Sequence, residues 1–153
     1  MVRTKPSKLQ VAMMNAENTA QLSHDAETQV GSVLLHSTTM SVVATGYNGF
    51  IRKAPDNKLP NTRPNKYQYI IHSEENLLMN CVRNGISTDN CLVVCTMSPC
   101  SHCMRLLWQA GITKVICKNK YRDFNDITKM DDIGIRESIT PEGFFLLEYE
   151  VKT

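Results

Sequence analysis

His72, Glu74, Cys100 and Cys103 are the residues of this 153-residue chain whose types and spacing can do chemistry together. They fall in two short runs, His72-Ser73-Glu74 and Pro99-Cys100-Ser101-His102-Cys103, each placed where a strand or loop is expected to enter a helix. One histidine and two cysteinates supply three corners of the tetrahedron that zinc prefers and leave the fourth for water. Cys100 and Cys103, three apart in the first turn of a helix, project from the same side, and the positive end of the helix dipole favours their thiolate forms. Glu74, two residues beyond His72, does not share the ligand's direction but can reach the neighbouring water, which makes it a proton shuttle. The chemistry expected is hydrolysis by an activated water.

An H-x-E run followed by P-C-x-x-C resembles the signature of zinc-dependent base deaminases. In that chemistry hydroxide adds to the carbon bearing an exocyclic amine, and the glutamate returns protons to the ring nitrogen and the departing ammonia. The carbon is C4 for cytosine and C6 for adenine, so the motif leaves the base open. Two other readings compete. A redox dithiol would use Cys100 and Cys103 but leaves His72 and Glu74 without a role. A structural zinc would draw on a fourth protein ligand, and the extra histidine at hand, His102, lies inside the C-x-x-C turn facing away from the cysteines. The remaining cysteines, Cys81, Cys91, Cys95 and Cys117, fall in apolar runs and read as core, with a second metal site as the alternative. His24 and His36 read as a loop and a strand-end histidine.

These residues need elements to hold them. Ser7 to Gln10 reads as a capping box, and Leu9, Ala12, Met13, Ala16 and Ala20 follow at helical spacing, predicting a helix from Ser7 to about Ser23. Gln29 to His36 and Met40 to Thr45 are β-branched and apolar and read as an antiparallel hairpin. Gly46-Tyr47-Asn48-Gly49 breaks the strand, and Phe50 to Gln68 reads as a long surface loop of the functional kind. Glu74 to Asn84 reads as a helix stopped by Gly85, Leu92 to Thr96 as a buried strand, and Pro99 to Gly111 as a second helix. Lys114 to Lys118 reads as a strand, Asp126 to about Asp132 as a helix, and Phe144 to Tyr149 as a last strand. The expected architecture is α/β, a three-layer α/β/α sandwich around a five-stranded mixed sheet, in a single domain over residues 1–153.

Composition narrows the partners. With 42% hydrophobic and 21% charged residues and a net charge of +2, the chain is globular and offers no large attraction for a polyanion. A strong basic groove or stacking aromatics would suit a polynucleotide deaminase, yet aromatics are only 7%. Nucleic acid is not the expected partner. Neither a signal-peptide core nor a span of about 20 apolar residues is found, so no membrane is expected and the location expected is cytoplasmic. In that reducing compartment the six cysteines read as ligands or core before disulfides.

Beyond the zinc motifs, the chain from about Ser7 to Tyr149 resembles the deoxycytidylate branch of the cytidine/deoxycytidylate deaminase family. The matching blocks are Gln29-Val30-Gly31, Gly46-Tyr47-Asn48-Gly49, Lys66-Tyr67-Gln68-Tyr69, Gln109-Ala110-Gly111-Ile112 and Lys120-Tyr121-Arg122-Asp123. The resemblance implies the cytidine-deaminase fold, hydrolysis of dCMP to dUMP and ammonia for dTMP synthesis, and a homohexamer. It also implies Zn2+ at the catalytic site and control by dCTP, activating, and dTTP, inhibiting with Mg2+. A dCTP or dual dCMP-dCTP deaminase is the close alternative. Carried over by position, Asn48 looks like a ligand of the deoxyribose hydroxyl, or else an Asx-turn residue between two glycines. Tyr121 looks like a pocket wall, or else a half-buried packing tyrosine, Ser73 contributes backbone to the base pocket, and the Ser98 carbonyl could accept from the amine. Arg52, Lys53, Arg63 and Lys66 are the cations available for a phosphate. The regulatory nucleotide is expected at Gln29, Val30, Gly31 and Gly49, with Arg83 at a subunit contact. The family more usually carries alanine or cysteine where this chain has Ser73, and the loop from Phe50 to Gln68 is its own.

Overall fold

The computed structural model describes residues 2–122, 124 and 133–150. Helix α1, Lys8–Ala20, begins at the expected capping box: Gln10 N–H donates to Ser7 Oγ at 3.1 Å, and Ser7 N–H donates to Gln10 Oε1 at 2.7 Å. Strands β1, Gly31–His36, and β2, Val42–Tyr47, form the antiparallel hairpin. Helix α2, Ser73–Asn84, stops at Gly85, whose φ of 65° is the left-handed conformation that ends helices. Strand β3, Cys91–Met97, helix α3, Ser101–Gln109, and strand β4, Lys114–Asn119, then make a crossover unit, with β3 and β4 parallel. Two antiparallel strands follow, β5, Ile135–Ile139, and β6, Phe145–Tyr149.

Among the described residues the sheet has six strands in the order β2-β1-β3-β4-β6-β5, one more than the sequence pattern predicts. The additional strand is β5. It lies at the sheet edge with only Ile135 buried, so its Ile-Arg-Glu-Ser-Ile sequence carries no apolar run to announce it. Its pairing with β6 and the ion pair between Arg136 and Glu150 hold it there. The helix expected over 126–132 lies outside the described residues.

Period-two alternation divides the central strands between two cores. Val33, Leu35, Leu92, Val94 and Ile116 face Ala12, Met13 and Ala16 of α1. Leu34, Val93, Cys95, Val115, Cys117 and Leu147 face the other way, against Leu77, Leu78 and Cys81 of α2 and Met104 and Leu107 of α3. Strands covered on both sides read as continuous hydrophobic runs, which is why β1, β3 and β4 were legible from sequence. Cys81, Cys91, Cys95 and Cys117 are buried in the α2–α3 core as expected. Burial raises the thiols of Cys95 and Cys117, the latter to about 12, so they are inert hydrophobes.

Two close approaches set helix positions. A Cβ on Gly31 would enter the backbone of α1 at the Ala16 carbonyl, and one on Gly46 would strike the Ser73 carbonyl and lie 2.6 Å from Leu77 N. Gly46 thus lets the first turn of α2 settle directly on β2. Asn76 and Asn80, one turn apart, complete that contact by donating to the carbonyls of Tyr47 and Thr45 at 2.7 Å each.

Candidate active site

Two helix N-termini meet beyond the carboxyl end of β3. His72 is the N-cap of α2 and Cys100 the N-cap of α3, both with extended backbone (ψ 155° and 166°), so each side chain turns across its helix end. Glu75 Oε1 accepts the His72 N–H at 3.2 Å, and Cys100 Sγ accepts the Cys103 N–H at 3.5 Å. His72 Nδ1 then lies 3.5 Å from Cys100 Sγ and 3.4 Å from Cys103 Sγ, with all three donor atoms within 4.8 Å of one another. Bond lengths of about 2.3 Å to sulfur and about 2.0–2.1 Å to nitrogen at a tetrahedral angle require an N···S separation of about 3.5 Å. The donor set fits zinc. Protonation agrees: the hydrogen bond with Cys103 lowers the Cys100 thiol to about 3, while that bond and burial raise Cys103. The sulfurs share one proton, which a divalent cation would displace. His102 does not join them; it is exposed, with Nε2 3.8 Å from Glu75.

Glu74, the second residue of α2, is 4% exposed, and its Oε1 is buried with no hydrogen-bond partner among the described residues. Such an atom costs stability unless function uses it. Desolvation raises its carboxyl to about 7, the range in which a carboxylate exchanges protons efficiently at neutral pH.

A cleft opens above these residues. His72, Glu74 and Cys100 form its floor, and Asn48, Ser73, Ser98 and Tyr121 all line it. Their side chains are differently engaged. Ser73 Oγ bonds to Ser32 Oγ at 2.7 Å and donates to the Gly46 carbonyl at 3.1 Å, tying α2 to β1 and β2 and leaving backbone for the pocket. Ser98 Oγ accepts the Tyr121 N–H at 2.6 Å, which sets Tyr121 as a wall. Asn48 donates to the Thr28 carbonyl at 2.8 Å and to Asp25 at 3.4 Å, and its Oδ1 accepts the Val30 N–H at 2.9 Å. Only the second lone pair of that oxygen is left for a ligand.

The four candidate cations separate. Arg63 and Lys66 line the cleft. Arg52 turns away to Asn80, and Lys53 is exposed outside it. Lys66, 3% exposed, is held by both oxygens of Asp25 at 3.0 and 2.8 Å. Arg63 donates to Tyr67 Oη at 2.9 Å, and Arg122 stands 6.0 Å from the Tyr67 ring and 5.1 Å from the Tyr121 ring. Arg122, Tyr67 and Asp25 were not singled out as site residues from sequence, although the first two lie inside matching blocks. Asp25 could be found only as a local Asx turn, since its carboxylate accepts from Glu27 N and Thr28 N.

Of the expected regulatory residues, Val30 alone lines the cleft. Gln29 donates to the Asp25 carbonyl at 2.5 Å, Gly31 packs on α1, Gly49 bridges to Ile71, and Arg83 is exposed in the last turn of α2. Gln29, Val30 and Gly31 run beside the 46–49 turn, with the Val30 carbonyl accepting the Asn48 N–H at 3.2 Å, whereas Arg83 lies apart on α2.

The fold is that of an α/β sandwich with a His/Cys/Cys donor set able to hold a metal at the end of its sheet. The family described as "Cytidine and deoxycytidylate deaminase zinc-binding region" matches residues 6–119, and the chain belongs to that family. A relative named deoxycytidylate deaminase from Homo sapiens is 35% identical over 116 residues, 71% of this chain. The match spans 64% of that relative's length. The crystal structure of dCMP deaminase from the cyanophage S-TIM5 in complex with dCMP and dUMP superimposes with a TM-score of 0.68 at 28% identity, covering 86% of this chain and 96% of that one. Cytidine deaminase from Burkholderia pseudomallei, at 16% identity and a TM-score of 0.51 over 72% of this chain and 84% of its own, shares the fold. No helix among the described residues is long and apolar enough to cross a membrane.

Proposed function

We propose that the chain is a single deaminase domain that hydrolyses dCMP to dUMP and ammonia, with Zn2+ held by His72, Cys100 and Cys103. The observation that carries this reading is the buried Glu74 Oε1, without a hydrogen-bond partner among the described residues, in a cleft that Arg63 also lines, with Arg122 6.0 Å from the ring of the cleft residue Tyr67. Zinc, when bound, lowers the pKa of water and so supplies a nucleophile at neutral pH. Glu74 would accept the proton that this water loses and give it to N3 as hydroxide adds to C4, then take the proton of the new C4 hydroxyl and deliver it to the amine as the C4–N bond breaks and ammonia leaves. The Ser98 carbonyl accepts from that amine, Asn48 Oδ1 offers its remaining lone pair to the deoxyribose hydroxyl, and Tyr121 closes the wall beside the sugar. A phosphate at the outer end would meet two guanidiniums, the donors best shaped for it. Lys66 is buried with its donors on Asp25 and Glu27, whereas the guanidinium of Arg63 is half exposed and has more N–H donors than its partners Glu27, Tyr67 and Thr28 use, so Arg63 and Arg122 are the proposed phosphate residues.

The names carried by relatives support the nucleotide as substrate. Ammonia release from deoxycytidine, dCMP, dCTP and a cytosine oligonucleotide, measured in parallel, tests the reading. Turnover of dCMP well above the nucleoside and oligonucleotide is expected, and preference for the oligonucleotide would overturn it. A cytoplasmic homohexamer feeding dTMP synthesis, activated by dCTP and inhibited by dTTP with Mg2+, is the regulatory extension drawn from the resemblance. Melting-temperature titration tests it, and an unshifted substrate-free sample with dTTP and Mg2+ would count against it.

A further inference from the structure

The cleft contains a buried ion pair that the deamination chemistry does not use. Asp25 and Lys66 are 4% and 3% exposed, and Lys66 Nζ binds both carboxylate oxygens at 3.0 and 2.8 Å. Both line the cleft, yet neither has a free valence to offer a substrate. Asp25 Oδ1 also accepts the N–H groups of Glu27 and Thr28, at 2.8 and 3.0 Å, and Oδ2 accepts from Asn48 Nδ2 at 3.4 Å. On the other side Lys66 Nζ lies 3.4 Å from Glu27, whose carboxylate accepts the Arg63 N–H at 2.5 Å and pairs with the Arg63 guanidinium at 3.6 Å. Three segments distant in sequence are therefore fastened to one charge pair: the α1–β1 loop, the end of β2 at Asn48, and the turn carrying Arg63 and Tyr67.

We propose that Asp25 and Lys66 are positioning residues that fasten Asn48 and Arg63 in register with the zinc floor, and so set affinity for the sugar and phosphate half of the substrate. A buried pair is weak evidence for stability, because apolar groups of similar volume can replace it at little cost, whereas conformational specificity is its best-attested use. The location matches that use. The pair joins the loops that surround the outer cleft and touches neither His72 nor Glu74. The proposal rests on dCMP as substrate, since it assigns Arg63 to the phosphate.

Steady-state kinetics on Asp25→Asn, Lys66→Met, Lys66→Arg and the double variant Asp25→Asn/Lys66→Met, with zinc content and Tm, test it. Loss of one partner strands a buried charge, so each single removal should lower Tm; the double variant should recover most of it. KM for dCMP should stay raised about tenfold or more in the double variant, with kcat within about threefold of wild type, because ground-state positioning is lost and the chemistry is not. Zinc should remain stoichiometric, and Lys66→Arg should restore part of KM. A double variant whose KM returns with its Tm would show the pair to be scaffold only and overturn the proposal. A fall in kcat and zinc content without a change in KM would do the same. Wild-type enzyme that releases no ammonia from dCMP would sink the substrate reading itself, and this proposal with it.

Discussion

His72 and Cys100 cap the N-termini of two different helices, and their Nδ1 and Sγ atoms stand 3.5 Å apart although 28 residues separate them in the chain. Their approach builds the proposed metal site from two positive helix ends, where thiolate is favoured. Cys100→Ala and His72→Ala should therefore each lose stoichiometric zinc and reduce kcat/KM by about a thousandfold or more, since a two-ligand site no longer generates the nucleophile. Metal analysis alongside ammonia release checks this. Full activity with zinc lost would refute it.

Glu74→Gln should separate binding from chemistry. The substitution keeps shape but removes the exchangeable proton, so zinc content should hold while kcat falls by about a hundredfold or more. It should not destabilise the fold, because the carboxyl it replaces is buried with an unpartnered oxygen. Turnover near wild type would remove Glu74 from the mechanism.

Arg63→Gln and Arg122→Gln test the phosphate end. Each should raise KM for dCMP by about tenfold, the loss of one charge-assisted contact, and leave deoxycytidine kinetics almost unchanged. Equal effects on both substrates would place the phosphate elsewhere.

The Asp25–Lys66 pair also predicts an acid limb. Burial alone would raise the Asp25 carboxyl, but Lys66 and the backbone N–H groups outweigh it and hold it below its ordinary 3.8. Between the two pKa values the unfolded chain binds the proton and the folded chain does not, so stability falls as pH drops below about 4 and is full above it. Tm measured from pH 6 down to about 3 should fall more steeply for wild type than for Asp25→Asn/Lys66→Met. Parallel curves would assign the acid sensitivity to other groups.

Gly46→Ala should destabilise by about 1–3 kcal/mol and reduce activity, because the added methyl pushes the first turn of α2 off β2 and carries His72 and Glu74 with it. Thermal denaturation and kinetics check this together. A stable, fully active variant would show that α2 tolerates the shift.

Much of the frame was legible because its elements are either capped or wholly buried. The capping box of Ser7, the Gly85 stop and the continuous apolar runs of β1 and β3 are local signals with local causes. β5 escaped because an edge strand with one buried residue has no hydrophobic period, and its pairing with β6 is a tertiary fact. Arg122 and Asp25 escaped as site residues for the same reason. Nothing in their neighbours along the chain says that one stands over two cleft tyrosines or that the other binds a lysine 41 residues away.

The sequence by itself picked out the proposed zinc donors and proton shuttle, since His72, Glu74, Cys100 and Cys103 lie in motifs whose spacing is read within one helical turn. Only the tertiary structure decided which of the candidate cations line the cleft. Of Arg52, Lys53, Arg63 and Lys66, one turns to Asn80, one lies exposed outside the cleft, Lys66 lines it buried on an aspartate, and Arg63 lines it more openly, held by Tyr67 and Glu27. A charged side chain's role depends on which partner neutralises it. That partner is supplied by the fold, across distances the local pattern does not encode.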